Sequence, residues 1–218
     1  RDALDRMIAQ QLVRFAVQPI LHAQTGDVYG YELLMRTNVR ELPDPTTVLR
    51  LAAAEGKLAR IDRLTWMVGL EAIRTFVQNR ATPPNAKFFL NSIANQSLLD
   101  DDERTIAELY GSLLPRLVIE VTEGERNNEE CTRHKLDFVH RHGGEIAIDD
   151  YGTGYNSEMA LMQINADIVK LDISFVHNVD TDPDKQALIQ NLIRYARERG
   201  IAVLAEGVET REEMRTLI

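Results

Sequence analysis

The sequence predicts an α/β fold, a TIM-type (β/α)8 barrel whose first strand runs antiparallel to its neighbour. Short β-branched and aromatic runs alternate with helix-length amphipathic segments, which is typical of parallel strands joined by crossover helices. Most of these runs end in polar residues, and the ends of parallel strands in a barrel gather at the face where barrel enzymes hold their active sites. A Thr25-Gly-Asp27 segment between the first two runs indicates a hairpin turn.

Length, composition and charge limit which classes of protein this chain can belong to. The chain has 218 residues, 44% hydrophobic and 27% charged, so we expect one globular domain over residues 1–218. A net charge of −9 argues against non-specific binding to nucleic acid polymers. One cysteine, no signal peptide and no membrane-length apolar run predict a cytoplasmic location without direct membrane contact. Because the first residue is Arg1, we expect a fragment of a longer protein.

Local signals place the elements of the first half of the chain in order. An amphipathic lead-in helix over residues 1–12 precedes hairpin strands at 15–20 and 28–35. Asp44-Pro45 begins a helix that continues to Glu55 and ends at Gly56. A second helical pattern covers residues 61–78, and Pro83-Pro84 separates it from a strand at 87–91.

The second half repeats helix and strand. Helices are predicted at 101–110 and 128–142 and a short one at 158–163, with strands at 117–120, 145–150 and 167–172. Asp182-Pro183 begins a helix that ends at Gly200, before a strand at 202–206 and a helix from Thr210. This gives seven strands, so we expect the last strand and helix of an eight-fold barrel to be missing from residues 1–218.

The polar residues at the strand ends are suited to hard cations. A buried carboxylate costs several kcal/mol when it is alone, so several carboxylates together require positive charge. Mg²⁺ and Mn²⁺ prefer oxygen ligands, which carboxylates and an asparagine amide supply. The candidate ligands are Glu32, Asn91, Glu120, Asp149, Asp150 and Glu206.

Several motifs, taken together, resemble one family. They are Gln18-Pro-Ile20, Tyr31-Glu-Leu-Leu-Met-Arg36, Phe89-Leu-Asn-Ser92, Ile119-Glu-Val-Thr-Glu123, Asp149-Asp-Tyr-Gly-Thr-Gly-Tyr155, Lys170-Leu-Asp172 and Ala205-Glu-Gly-Val-Glu209. Their order and spacing resemble the EAL domain, a family of cyclic di-GMP phosphodiesterases and catalytically silent receptor relatives. The resemblance implies metal-dependent hydrolysis of cyclic di-GMP to linear pGpG in bacterial second-messenger signalling.

The resemblance also implies a role for each matching residue. Two Mg²⁺ or Mn²⁺ ions would be held by Glu32, Asn91, Glu120, Asp149, Asp150 and Glu206. Lys170 matches the lysine that orients the attacking water, and it joins Glu32, Asp150 and Glu206 in the catalytic set. Substrate contacts are implied for Gln18, Leu34, Arg36, Asp172 and Glu209. Residues that stabilise the loop after Asp150 are Glu123, Thr153 and Gly154.

Partners and alternatives follow from the same resemblance. It implies a homodimer, fused to or regulated by an upstream sensory domain. The alternative function is a non-catalytic cyclic di-GMP receptor, but such relatives usually lose metal ligands or the Asp-Asp loop, and this chain keeps both. Taken one at a time, Glu120, Asp172 and Glu209 could equally be helix caps or solvated turn residues. The family motif has Ala where this chain has Leu33, and an eighth strand with a catalytic glutamine is expected beyond Ile218.

Overall fold

A computed structural model describes residues 2–79, 82–93, 96–122, 129–153 and 161–218, with the side chains of Asp2 and Glu129 left out. Its strands form one seven-stranded sheet in chain order. The strands are β1 (Val13–Leu21), β2 (Val28–Thr37), β3 (Lys87–Asn91), β4 (Leu117–Thr122), β5 (Glu145–Tyr151), β6 (Ile168–Leu171) and β7 (Ala202–Ala205). The first pair is antiparallel and all later neighbours are parallel, as predicted.

Helices connect the strands in the expected places. They are α1 (Asp2–Ala9), α2 (Pro45–Ala54), α3 (Leu58–Asn79), α4 (Asp100–Tyr110), α5 (Glu129–Arg141), α6 (Ile173–Val176), α7 (Pro183–Arg199) and α8 (Arg211–Leu217), with a 3₁₀ turn at Leu114–Arg116. The sequence did not predict α6 or the 3₁₀ turn. Of the short helix predicted at 158–163, the described part, 161–163, is helical and the rest lies outside the described residues.

The hairpin between β1 and β2 is built by its turn residues. Gly26 has a positive φ of 76° and donates its N–H to the His22 carbonyl at 2.8 Å. The Thr25 hydroxyl accepts the Asp27 N–H at 3.2 Å, which closes the turn locally. The lead-in helix is shorter than predicted and ends at Ala9, because Gln11 takes a left-handed conformation with φ 52°.

An apolar layer fills the inside of the curved sheet. Phe89, Val118, Ala147 and Ile168, one residue from each of four neighbouring strands, are buried against one another. Alternate residues of a strand point to the same face, so the next inward positions are Asn91, Glu120, Asp149 and Lys170. The polar site therefore lies directly on this apolar layer, towards the carboxyl ends of the strands.

The helices cover the outer face of the sheet. One cluster places Trp66 and Leu70 of α3 and Phe138 of α5 against β3 and β4, and another packs Ile189 and Leu192 of α7 against β5 and β6. A third buries Leu4 and Met7 of α1 among residues of α2 and α3. These contacts make the barrel TIM-like, but it is partial: within the described residues β1 and β7 are the two edges of the sheet.

Across the described ranges, no helix combines the length and the hydropathy needed to cross a lipid bilayer.

Candidate metal centre

The register of the parallel strands brings predicted ligands on neighbouring strands to within two residues of one another. Asn91 pairs with Glu120 across β3 and β4, and Thr122 pairs with Asp149 across β4 and β5. Glu32 lies one strand further, opposite Phe89, and Glu206 follows the last residue of β7. The Glu206 N–H donates to the Leu171 carbonyl at 3.1 Å, which extends the pairing of β6 and β7 to this residue.

Lys170 lies at the centre of this set. Its ammonium is 2.5 Å from a Glu120 oxygen, 2.8 Å from Glu206, 3.0 Å from Asp149 and 3.5 Å from Glu32. The lysine is 1% exposed, so these contacts are shielded from solvent. One positive charge thus faces four carboxylates, which leaves an excess of negative charge inside the barrel.

The pKa values of the site follow from this imbalance. Burial alone would lower the pKa of Lys170, but the surrounding carboxylates, Glu120 first among them, raise it above its ordinary value. Burial raises the pKa of Glu120 to about 8, against the opposing attraction of Lys170. Burial also raises the pKa values of Asp150 and Glu206, with Asp149 adding to both shifts. The lysine therefore stays protonated. Each ionised carboxylate makes the ionisation of its neighbours less favourable.

The buried oxygens of Glu120 test whether the site fits a cation. It is 1% exposed, and among the described residues neither carboxylate oxygen accepts a hydrogen bond of normal geometry, although the Lys170 ammonium is close to one of them. Unpartnered buried carboxylate oxygens are costly, and a cation with oxygen ligands removes that cost. The residues present therefore fit a divalent metal ion.

A second group of candidate ligands is less buried than Glu120. Asp149, Asp150 and Glu206 each offer one carboxylate oxygen, and these three oxygens lie within 4.8 Å of one another. This spacing would hold a metal ion. Asp150 has a positive φ of 55°, and its N–H donates to the Asp149 side chain at 3.0 Å. This turn keeps two consecutive carboxylates at the same opening, although alternation along a strand would separate them.

Three of the predicted substrate contacts lie on one face of the hairpin. Gln18 is paired with Glu32 across β1 and β2, and Leu34 and Arg36 follow Glu32 at two-residue intervals. Arg36 is exposed and its guanidinium donates to the Met35 carbonyl at 2.9 Å. The face thus leads from the predicted metal ligand Glu32 to the exposed, cationic side chain of Arg36.

The other predicted contacts lie at helix starts. The Asp172 side chain accepts the Ser174 N–H at 2.8 Å and so caps α6. Glu209 is exposed, and its backbone N–H donates to the buried Glu213 side chain at 2.9 Å. This cap does not prevent Asp172 from contacting a ligand. The substrate roles of Asp172 and Glu209 both stay predictions.

The predicted loop-stabilising residues are only partly described. Thr153 donates its hydroxyl to the Asp150 carbonyl at 3.0 Å, and its N–H also points to that carbonyl at 3.2 Å. Thr153 therefore fixes the turn that carries Asp150. Glu123 and Gly154 lie outside the described residues, and their roles stay predictions.

The sequence interpretation missed a buried polar cluster beside Asn91. Asp62 and Lys135 form an ion pair with 2.6 Å between Oδ2 and Nζ, and Lys135 is fully buried. Ser92, which directly follows Asn91, lies in the same cluster. Both charged residues lie on amphipathic helices, where a charge normally faces solvent, so the sequence carried no signal of this pair.

Comparison with known proteins places the chain in a family. The EAL domain family model matches residues 1–218. The chain belongs to the EAL domain family. This EAL domain is 30% identical over 210 residues to the cyclic di-GMP phosphodiesterase PdeL of Escherichia coli, covering 93% of this chain and 57% of PdeL. It is 26% identical over 222 residues to the oxygen sensor protein DosP of the same species, covering 99% of this chain and 27% of DosP.

Solved structures give the same fold. Klebsiella pneumoniae BlrP1 in complex with calcium and cyclic di-GMP superposes with a TM-score of 0.79 at 25% identity, covering 95% of this chain and 53% of BlrP1. Its complex with manganese and cyclic di-GMP gives a TM-score of 0.73 at the same coverage. The EAL domain thus spans well under two thirds of PdeL, DosP and BlrP1.

Proposed function

We propose that this EAL domain hydrolyses one phosphodiester bond of cyclic di-GMP and releases linear pGpG. The observation that carries the proposal is the set of four carboxylates around the Lys170 ammonium, at distances of 2.5–3.5 Å. A site with this excess of negative charge binds divalent cations, and a dianionic dinucleotide approaches such a site only when cations are present. Two relatives support the choice of substrate: PdeL is named a cyclic di-GMP phosphodiesterase, and BlrP1 was solved in complex with cyclic di-GMP.

Two divalent cations, Mg²⁺ or Mn²⁺, fit the ligands that the barrel offers. We assign one to Glu32, Asn91, Glu120 and Asp149, and the other to Asp149, Asp150 and Glu206, whose oxygens lie within 4.8 Å. When bound, such cations would lower the pKa of a water that they hold and would stabilise negative charge on phosphoryl oxygens.

The chain's own residues orient the reactants. Because its pKa is raised, Lys170 remains an ammonium at neutral pH and donates hydrogen bonds rather than accepting a proton. It can hold a water or a developing oxyanion in line with the scissile bond. Gln18, Leu34 and Arg36 extend along one face of the hairpin, and we assign a phosphate contact to the exposed Arg36 guanidinium. We also assign substrate contacts to Asp172 and Glu209, which follow β6 and β7.

The test is chromatographic analysis of cyclic di-GMP after incubation with the protein and Mn²⁺. We expect pGpG from the wild-type domain and none from the Glu32→Ala variant, because that substitution removes a ligand. Glu108→Ala, which removes an exposed carboxylate of α4, serves as the matched control and keeps activity. Unchanged nucleotide that co-elutes with wild-type protein would instead establish a receptor.

We also propose that the domain works as a homodimer inside a longer regulatory protein. The name of DosP, an oxygen sensor of which this chain spans 27%, supports the regulatory context. Sedimentation analysis of the domain tests the dimer. A protein that is monomeric at concentrations where it hydrolyses cyclic di-GMP at its maximal rate would contradict the proposed dimer.

A further inference from the structure

The cluster beside Asn91 is built around one hydroxyl group. Ser92 Oγ accepts from Lys135 Nζ at 2.8 Å and from Trp66 Nε1 at 3.2 Å, and it donates to Asp62 Oδ1 at 3.1 Å. A hydroxyl has one donor and two acceptor positions, so all of its hydrogen-bonding capacity is used. The position of this side chain is therefore fixed from three directions.

The same ion pair also holds the next peptide unit. Lys135 Nζ donates to the Ile93 carbonyl at 2.7 Å, and Asp62 Oδ1 accepts the Ile93 N–H at 2.7 Å. On the other side, the Ser92 N–H donates to the Glu120 carbonyl at 3.0 Å. The backbone that leaves Asn91 is thus tied to α3, α5 and β4 at once.

A buried ion pair adds little net stability to the contact between two helices. Desolvation offsets most of its attraction, and apolar residues of similar size often give equal or greater stability. Here the hydrogen bonds of the pair converge on the two residues that follow Asn91. Asn91 is the uncharged member of the proposed ligand set, so its contribution depends strongly on the position of its amide oxygen.

We propose that Asp62 and Lys135 are positioning residues that fix Asn91 for metal binding. The inference rests on the proposed function, because it takes Asn91 to be a metal ligand. Neither residue touches the metal or the substrate. They act by fixing Ser92 and Ile93, and through them the position of Asn91 opposite Glu120, its partner across the strands.

The test is the affinity for Mn²⁺ itself, measured by titration calorimetry. Lys135→Met keeps most of the length of the side chain and removes the ammonium, and we expect it to weaken Mn²⁺ binding by about 10–100-fold. In an Asn91→Ala background the same substitution should change the affinity by less than about twofold, since its effect passes through Asn91. Equal losses in both backgrounds would overturn the proposal.

Lys87→Met is the matched control. Lys87 begins the strand that Asn91 ends, pairs with Glu145 at 2.6 Å and donates to the Pro115 carbonyl at 3.2 Å. We expect this variant to lose some thermal stability while its Mn²⁺ affinity stays the same. If Lys135→Met behaves like Lys87→Met, the ion pair is structural only and the proposal is wrong. If the wild-type domain binds Mn²⁺ without hydrolysing cyclic di-GMP, the proposed function is wrong. The Mn²⁺ affinities of the variants still test the positioning role in that case.

Discussion

At the scale of single residues, Lys170 sets the charge balance of the barrel interior. Its ammonium contacts four carboxylates and has almost no exposure to solvent. Among the described residues it is the only cation within 4.0 Å of these four carboxylates. Its removal would leave buried carboxylates facing one another, which is among the costliest changes known in protein interiors.

We therefore predict that Lys170→Met lowers the free energy of unfolding in EDTA by about 3–5 kcal/mol. Saturating Mn²⁺ should recover most of the loss, because the cations supply the missing positive charge, whereas hydrolysis should stay abolished. Urea unfolding with and without Mn²⁺ measures both effects. Lys87→Met, which breaks one partly exposed ion pair, should cost at most about 1 kcal/mol and show no recovery. An equal loss in the two variants would contradict the central role of Lys170.

The raised pKa values of the site predict how stability changes with pH. Burial raises the pKa of Glu120 to about 8, so the folded state holds a proton there that the unfolded state releases near pH 4.5. The fold is thus destabilised progressively as the pH rises from about 5 to about 8. We expect the melting temperature in EDTA to fall over this range.

Glu120→Gln supplies the control for that experiment. The amide cannot titrate, so the decline with pH should become shallower, with the part due to Asp150 and Glu206 remaining. Excess Mn²⁺ should also flatten the curve for the wild-type domain. A melting temperature that rises between about pH 5 and pH 8 in EDTA would contradict the shift.

At the scale of elements, Glu213 joins two loops through one buried side chain. It accepts N–H groups of Asn178, Glu209 and Thr210 at 2.9–3.0 Å, and Thr210 completes a capping box for α8. Hydrogen bonds from the Asn178 and Glu209 N–H groups lower the pKa of Glu213 to about 2. The segment that carries Glu206 is thereby connected to the chain after β6.

For Glu213 we predict the opposite dependence on pH. A lowered pKa stabilises the fold above the ordinary value of 4.5, and this stabilisation is lost as the pH falls towards about 2. Glu213→Gln should be less stable than wild type at pH 7, and the difference should shrink on acidification. Denaturant unfolding at several pH values measures it. A constant difference between pH 7 and pH 3 would show that the charge of Glu213 contributes nothing.

The sequence predicted the strands and most helices because each has a local signal. The strand predicted at 87–91 is β3, and Asp44 and Asp182 cap α2 and α7 as their positions before proline indicated. The short helix α6 was missed because its four residues are too few to show periodicity. The ion pair of Asp62 and Lys135 was missed because 73 residues separate its members and no local pattern links them.

At the scale of the whole molecule, metal binding should stabilise the entire barrel. The proposed ligands come from β2, β3, β4, β5 and the residue after β7, so cations would join strands from both halves of the sheet. We expect Mn²⁺ at about 100 times its dissociation constant to add about 2.7 kcal/mol to the free energy of unfolding. Calorimetric scans measure the shift. Asp149→Asn, which weakens both proposed sites, should reduce it strongly, and an equal shift in that variant would place the cations elsewhere.

The order of the strands also bears on how the protein is made. Each strand pairs with the one synthesised just before it, so a nascent chain can add strands one by one as they leave the ribosome. Glu32, Glu120 and Asp149 are translated before Lys170. A growing chain that pauses before β6 therefore holds three acidic groups with no lysine between them. We therefore expect the divalent cations proposed for the finished barrel to stabilise this intermediate as well.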